Sequence, residues 1–65
     1  MANIADNVRK ARKKARLSQD KLAREADVAY NTIVKIESGE NKNPTIETLR
    51  NIAKALSISI DELIN

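Results

Sequence analysis

Residues 18–39 read Ser-Gln-Asp-Lys-Leu-Ala-Arg-Glu-Ala-Asp-Val-Ala-Tyr-Asn-Thr-Ile-Val-Lys-Ile-Glu-Ser-Gly, or SQDKLAREADVAYNTIVKIESG. Two short helical patterns stand in this stretch, three residues apart. Ser18 is a good N-cap, since its hydroxyl accepts from an otherwise orphan backbone N–H. The pattern from Gln19 to Ala26 then puts Leu22, Ala23 and Ala26 on one side. A second pattern runs from Tyr30 to Ser38 with Ile33 and Ile36 on its inner edge. It stops at Gly39, the residue best able to take the left-handed backbone after a helix. Ala23 is small enough to let the two helices cross closely, against Val28, Ile33 and Ile36.

This spacing is that of a helix-turn-helix, in which the second helix is held by one face and displays the other. The displayed face starts with Tyr30, the only aromatic residue in the chain, and continues through Asn31, Thr32 and Lys35. A lone aromatic in so small a protein belongs in the core by default, yet here it heads a polar row.

The flanking segments are helical too. One Gly and one Pro in 65 residues, amid Ala, Leu, Lys, Glu and Ile, indicate an all-α chain. The first helix is expected over residues 4–16, with Ile4, Val8, Ala11 and Ala15 on one face. A polar loop, Glu40-Asn-Lys-Asn-Pro44, leads to Thr45 as the cap of a fourth helix reaching residue 56. Its buried stripe is expected to comprise Ile46, Leu49, Ile52, Ala53 and Leu56. Ser59 caps a short last helix over residues 60–64. The prediction is a single domain over residues 1–65, with helices at about 4–16, 19–26, 30–38, 45–56 and 60–64.

Composition narrows the function. Chains of this size bury only about 60% of their surface. With no cysteine and no histidine, a thiol or imidazole metal site and a disulfide framework are excluded. Neither a catalytic constellation nor a Gly-rich phosphate loop is present, so no enzyme, cofactor or metal is expected. No apolar run is long enough for a membrane span, and a cytoplasmic place is expected. Charge is asymmetric. Residues 1–16 carry six basic groups against Asp6 alone, a balance of +5, while residues 17–65 carry six basic and eight acidic groups, a balance of −2. Such a basic end suits a polyanion, and equally a solvated helix face.

Leu17-Ser-Gln-Asp-Lys-Leu-Ala-Arg-Glu-Ala26, Ile33, Ile36-Glu-Ser-Gly39, Pro44-Thr-Ile-Glu-Thr-Leu49 and Ile52-Ala-Lys-Ala-Leu-Ser-Ile-Ser-Ile-Asp-Glu-Leu63 closely resemble the Xre/Cro-type, lambda-repressor-like DNA-binding family. The resemblance spans roughly residues 4–64 in the family's order and spacing. It implies a compact five-helix fold that binds duplex DNA as a dimer, usually on a palindromic operator and usually to repress transcription in a bacterium or phage. It also implies roles. Tyr30, Asn31, Thr32 and Lys35 stand where family members contact bases or nearby phosphates. Gln19 would touch the DNA backbone and brace the reading helix, and Asn41, Lys42 and Asn43 lie where the family meets the second strand. The chain departs from the pattern at Arg16 and Asp27, which stand where glycine is frequent, and at Ala29, where Ser or Thr commonly caps.

The chemistry of these side chains agrees with such a role. Asn pairs with adenine N6/N7 and Lys donates to guanine O6/N7, while Thr and Tyr offer hydroxyls beside apolar surface. For Tyr30, base contact and backbone contact stand equal. Ser18 and Gln19 sit at a helix N-terminus, where free N–H groups favour phosphate. Arg9, Lys13 and Lys42 are further candidates for phosphate contact. Arg12 and Glu37 each lie beside core positions of their helices and are assigned to a partly buried structural ion pair, not to DNA. Ile58, Ile60, Leu63 and Ile64 either close the core or supply part of a two-fold interface. The competing functional reading is a protein-interaction module of the same fold, antitoxin-like or coactivator-like, without specific DNA readout.

Overall fold

The computed structural model describes residues 3–65, so residues 1 and 2 of the expected domain lie outside the described residues. Five helices follow one another: α1 Ile4–Lys14, α2 Gln19–Ala26, α3 Tyr30–Ser38, α4 Ile46–Leu56 and α5 Ile60–Ile64. The all-α, five-helix architecture is the one the sequence implies. None of the described helices is long and apolar enough to cross a membrane.

Caps set most boundaries. Asn3, Ser18, Thr45 and Ser59 each have extended backbone and accept a first-turn N–H on their side-chain oxygen. Such caps contribute about 1 kcal/mol each. Ser59 and Glu62 complete a reciprocal capping box, a pairing that the sequence reading passed over. Ala29 has no side chain to offer, and α3 starts without a side-chain cap.

Three helix ends share one construction. Arg16, Asp27 and Ser57 take the left-handed conformation at φ 61°, 57° and 58°. The residue after each, Leu17, Val28 or Ile58, turns its N–H back to the carbonyl of Arg12, Ala23 or Ala53, at 3.0–3.1 Å. All three side chains then pack on the core. These are Schellman endings, in which a backbone turn and an apolar plug act together. The first of them shortens α1: Arg16 turns left-handed, so the helix ends at Lys14 and not at residue 16. Ala15 becomes the cap and is exposed, where a buried position on the helix face was expected.

A left-handed backbone strains a residue with a Cβ by about 1–2 kcal/mol, though Gly gives back part of this through its freer unfolded chain. Ser57→Gly is therefore expected to stabilise the fold by about 0.5–1 kcal/mol, or about 4–8 °C in melting temperature per kcal/mol. An unchanged or lowered melting temperature contradicts this account of the turn. At Gly39 the constraint is likewise the backbone, φ 85°, since a Cβ there would meet nothing within 4 Å.

The core comprises Val8, Leu22, Ala23, Ala26, Ile33, Ile36, Leu49, Ile52, Ala53, Leu56 and Leu63. It draws on every helix, with α2 packed on α3 and α4, and α1 packed on α3 and α5. Ile46 departs from expectation: it is 58% exposed. Its angle around α4 matches Leu49 and Ala53, but it lies in the first turn, beyond the surface that α4 buries. Leu63 is fully buried, while Ile58, Ile60 and Ile64 are half-buried against the core. Asn7 ties α5 back to α1, donating through Nδ2 to the carbonyls of Leu63 (2.7 Å) and Asn65 (3.3 Å).

Candidate nucleic-acid interface

The two faces of α3 are sharply different. Ile33, Ile36 and Glu37 are buried, whereas Tyr30, Asn31, Lys35 and Ser38 are exposed and Thr32 and Val34 half-buried. Tyr30 keeps 49% of its surface open, so the only aromatic ring is not a core residue. Asn31 and Lys35 lie one turn apart on the outward side. Among the described residues Lys35 has one distant carboxylate neighbour, Glu40 at 4.0 Å, and both groups are well solvated, which makes this a weak tether.

Glu37 organises what lies behind that row. Only 6% exposed, its carboxylate accepts from Arg12 Nε (2.7 Å) and Arg12 Nη2 (3.1 Å), a two-pronged pair between α1 and α3. Arg12 Nη1 donates to the Leu17 carbonyl at 2.8 Å, which fixes the α1–α2 turn to the same cluster. Gln19 Nε2 donates to Glu37 Oε1 at 3.1 Å. A carboxylate only accepts, so the amide must present its NH2 inward. One Nε2–H and the amide carbonyl remain for an outside partner. No buried side-chain polar atom among the described residues is left without a hydrogen bond.

Gln19 thus starts α2 and is fastened directly to α3, the brace that the family resemblance implies and that spacing alone does not reveal. Arg9 was expected as a phosphate contact, but its guanidinium, on a side chain 39% exposed, already has partners within the chain. Its Nη1 donates to the Glu37 carbonyl at 3.0 Å, and its Nη2 pairs with Asp6. Lys13 and Ser18 are exposed, with Ser18 Oγ accepting from the Lys21 N–H (3.0 Å).

The loop after α3 is ordered by local bonds. Asn41 N–H donates to the Lys35 carbonyl at 3.0 Å, and Asn43 N–H donates to Asn41 Oδ1 at 3.1 Å. These bonds hold exposed Lys42 and Asn43 just beyond the C-terminal end of α3, with Asn41 half-buried. Among the described residues, no group of three or more His, Cys, Asp or Glu side chains is arranged to hold a metal ion.

Comparison with known proteins gives a consistent set of likenesses. A family model described as helix-turn-helix matches residues 8–63. The crystal structure of SinR, the master regulator for biofilm formation, in complex with DNA superposes with a TM-score of 0.90 at 30% identity, covering 92% of this chain and 95% of that one. A transcriptional regulator from Listeria innocua gives a TM-score of 0.80 at 33% identity over 98% of this chain and 59% of its own. An uncharacterized HTH-type transcriptional regulator from Coxiella burnetii (strain RSA 493 / Nine Mile phase I) is 28% identical over 64 residues. The chain spans 30% of the length of that relative.

Proposed function

The chain belongs to the Xre/lambda-repressor-like helix-turn-helix family, and from that premise we propose that it binds duplex DNA sequence-specifically as a transcriptional regulator. In this reading α3 enters the major groove. Tyr30, Asn31, Thr32 and Lys35 meet base edges, with Asn31 suited to adenine and Lys35 to guanine. Lys13, Ser18, Gln19, Asn41, Lys42 and Asn43 meet the phosphate backbone. Arg9, already engaged by Asp6 and Glu37, contributes to phosphate attraction mainly through its charge. The observation that carries the reading is the exposed row on α3, backed by Glu37, which fastens α1 and α2 behind it.

Each protomer reads one half-site, and two protomers bind a palindromic operator from the bacterial cytoplasm, blocking transcription by occupancy. Half-buried Ile60 and Ile64 are available to a two-fold contact. Sedimentation with a two-half-site duplex is expected to give two protomers per duplex; a single bound protomer at saturation contradicts the dimer.

Salt dependence tests the DNA reading. The logarithm of the binding constant should fall linearly with the logarithm of salt concentration, by about 0.9 per phosphate contacted. Lys13→Ala is expected to weaken all duplexes alike and to reduce that slope by about 1. A flat response, with no difference between random and selected duplexes, favours a protein-interaction module on the same fold.

A further inference from the structure

Lys10 and Lys14 are the basic residues of α1 that the proposed DNA face leaves unused. Arg9 and Arg12 reach α3 through Glu37, whereas Lys10 and Lys14 lie on another side of the helix, along a groove between α1 and the α4–α5 turn. The groove encloses about 390 Å³. Its floor is apolar, formed by Ala11, Ala15, Leu56 and Ile58, and the two lysines stand on its rim.

We propose that this groove docks an acidic amphipathic helix of a partner protein, with apolar side chains on the alanine floor and carboxylates on Lys10 and Lys14. Both lysines are exposed, and among the described residues neither forms a salt bridge. Like charges four residues apart oppose helix formation, so a carboxylate brought between them relieves repulsion as well as adding attraction. Glu62 also lines the groove; its carboxylate accepts from the Ser59 N–H at 2.9 Å in the α5 capping box, and among the described residues it forms no salt bridge with either lysine. Ala11 and Ala15 carry nothing beyond Cβ, which lets a helix backbone approach closely. An apolar floor under a basic rim fits an amphipathic helix laid in a groove. A phosphate chain gains nothing from the floor. The proposal stands apart from the DNA reading and does not depend on it.

The test is a nuclear magnetic resonance titration of the whole isotope-labelled chain with a synthetic amphipathic helix, leucines on one face and glutamates flanking them. A matched peptide with lysines in place of the glutamates is the control. Amide shifts are expected within residues 7–15 and 56–62, with α3 unmoved and the lysine peptide inert. The charge-reversed double variant Lys10→Glu/Lys14→Glu should weaken the response about tenfold, a change of one decade in dissociation constant. Ala15→Gln, which fills the floor and keeps both lysines, should weaken it comparably. Ala15 is exposed, so this variant is expected to melt with the wild type and separates blocked docking from misfolding. Any of four results overturns the proposal: no shift at millimolar peptide, shifts centred on α3, equal response to the lysine peptide, or an unaltered response in both variants. If the amides of residues 10–15 instead move on concentrating the free protein, the occupant is a second copy, and this also overturns it.

Discussion

Glu37→Ala is expected to lose about 3–5 kcal/mol of folding stability, because it strands the buried Arg12 guanidinium. The side chains of Arg12 and Glu37 keep only 13% and 4% of their exposure, so solvent takes over little of the lost interaction. Arg12 would retain a single bond, to the Leu17 carbonyl, and Gln19 would lose its acceptor. Domains are stable by roughly 0.05–0.15 kcal/mol per residue, or about 3–10 kcal/mol at this length. The variant should therefore be marginally folded or unfolded at room temperature. Replacing both partners with apolar residues, as in Arg12→Met/Glu37→Leu, removes the stranded charge, and most of the loss should be recovered. Urea unfolding of the wild type, Glu37→Ala and the double variant measures this. A wild-type midpoint for Glu37→Ala, or a double variant no better than Glu37→Ala, contradicts the structural assignment of the pair.

The second large effect concerns affinity. Asn31→Ala and Lys35→Ala are each expected to cost about 1–3 kcal/mol on the selected duplex. Because the two side chains are one turn apart on the same face, their effects couple and the double variant need not show the sum. What distinguishes base readout from general attraction is the comparison with random duplex. There Asn31→Ala should change little, and Lys35→Ala should lose only the contribution of one charge. Both positions are exposed, so the melting temperature should stay close to the wild type. Equal losses on selected and random DNA contradict base contact by this row.

Much of the fold was legible because its signals are local and periodic. The Leu22–Ala23–Ala26 and Ile33–Ile36 patterns placed α2 and α3, and Gly39 marked where α3 stops. The Arg12–Glu37 pair was also legible, since each residue interrupts an apolar edge. Less legible was anything set by where a neighbouring helix begins or ends. Ile46 has the right angle on α4 but stands past its buried surface, and Ala15 fell outside α1 once Arg16 took the left-handed turn. The inward bonds of Arg9 and Gln19 depend on α1 and α2 converging on one residue of α3. That convergence is tertiary, and no spacing in the chain encodes it directly. Ser59 and Glu62 were visible as a capping box at three residues' spacing, and reading that signal would have recovered the α5 cap in full.

Selection of bound duplexes from a random pool, run in parallel with the wild type and Lys35→Ala, tests the central claim most directly. The wild type should enrich a short motif, repeated as two inverted half-sites. Lys35→Ala should enrich the same motif with the preference relaxed at one position per half-site. A wild-type pool no different from the starting one contradicts sequence-specific binding, and a Lys35→Ala motif unchanged at every position contradicts readout by α3.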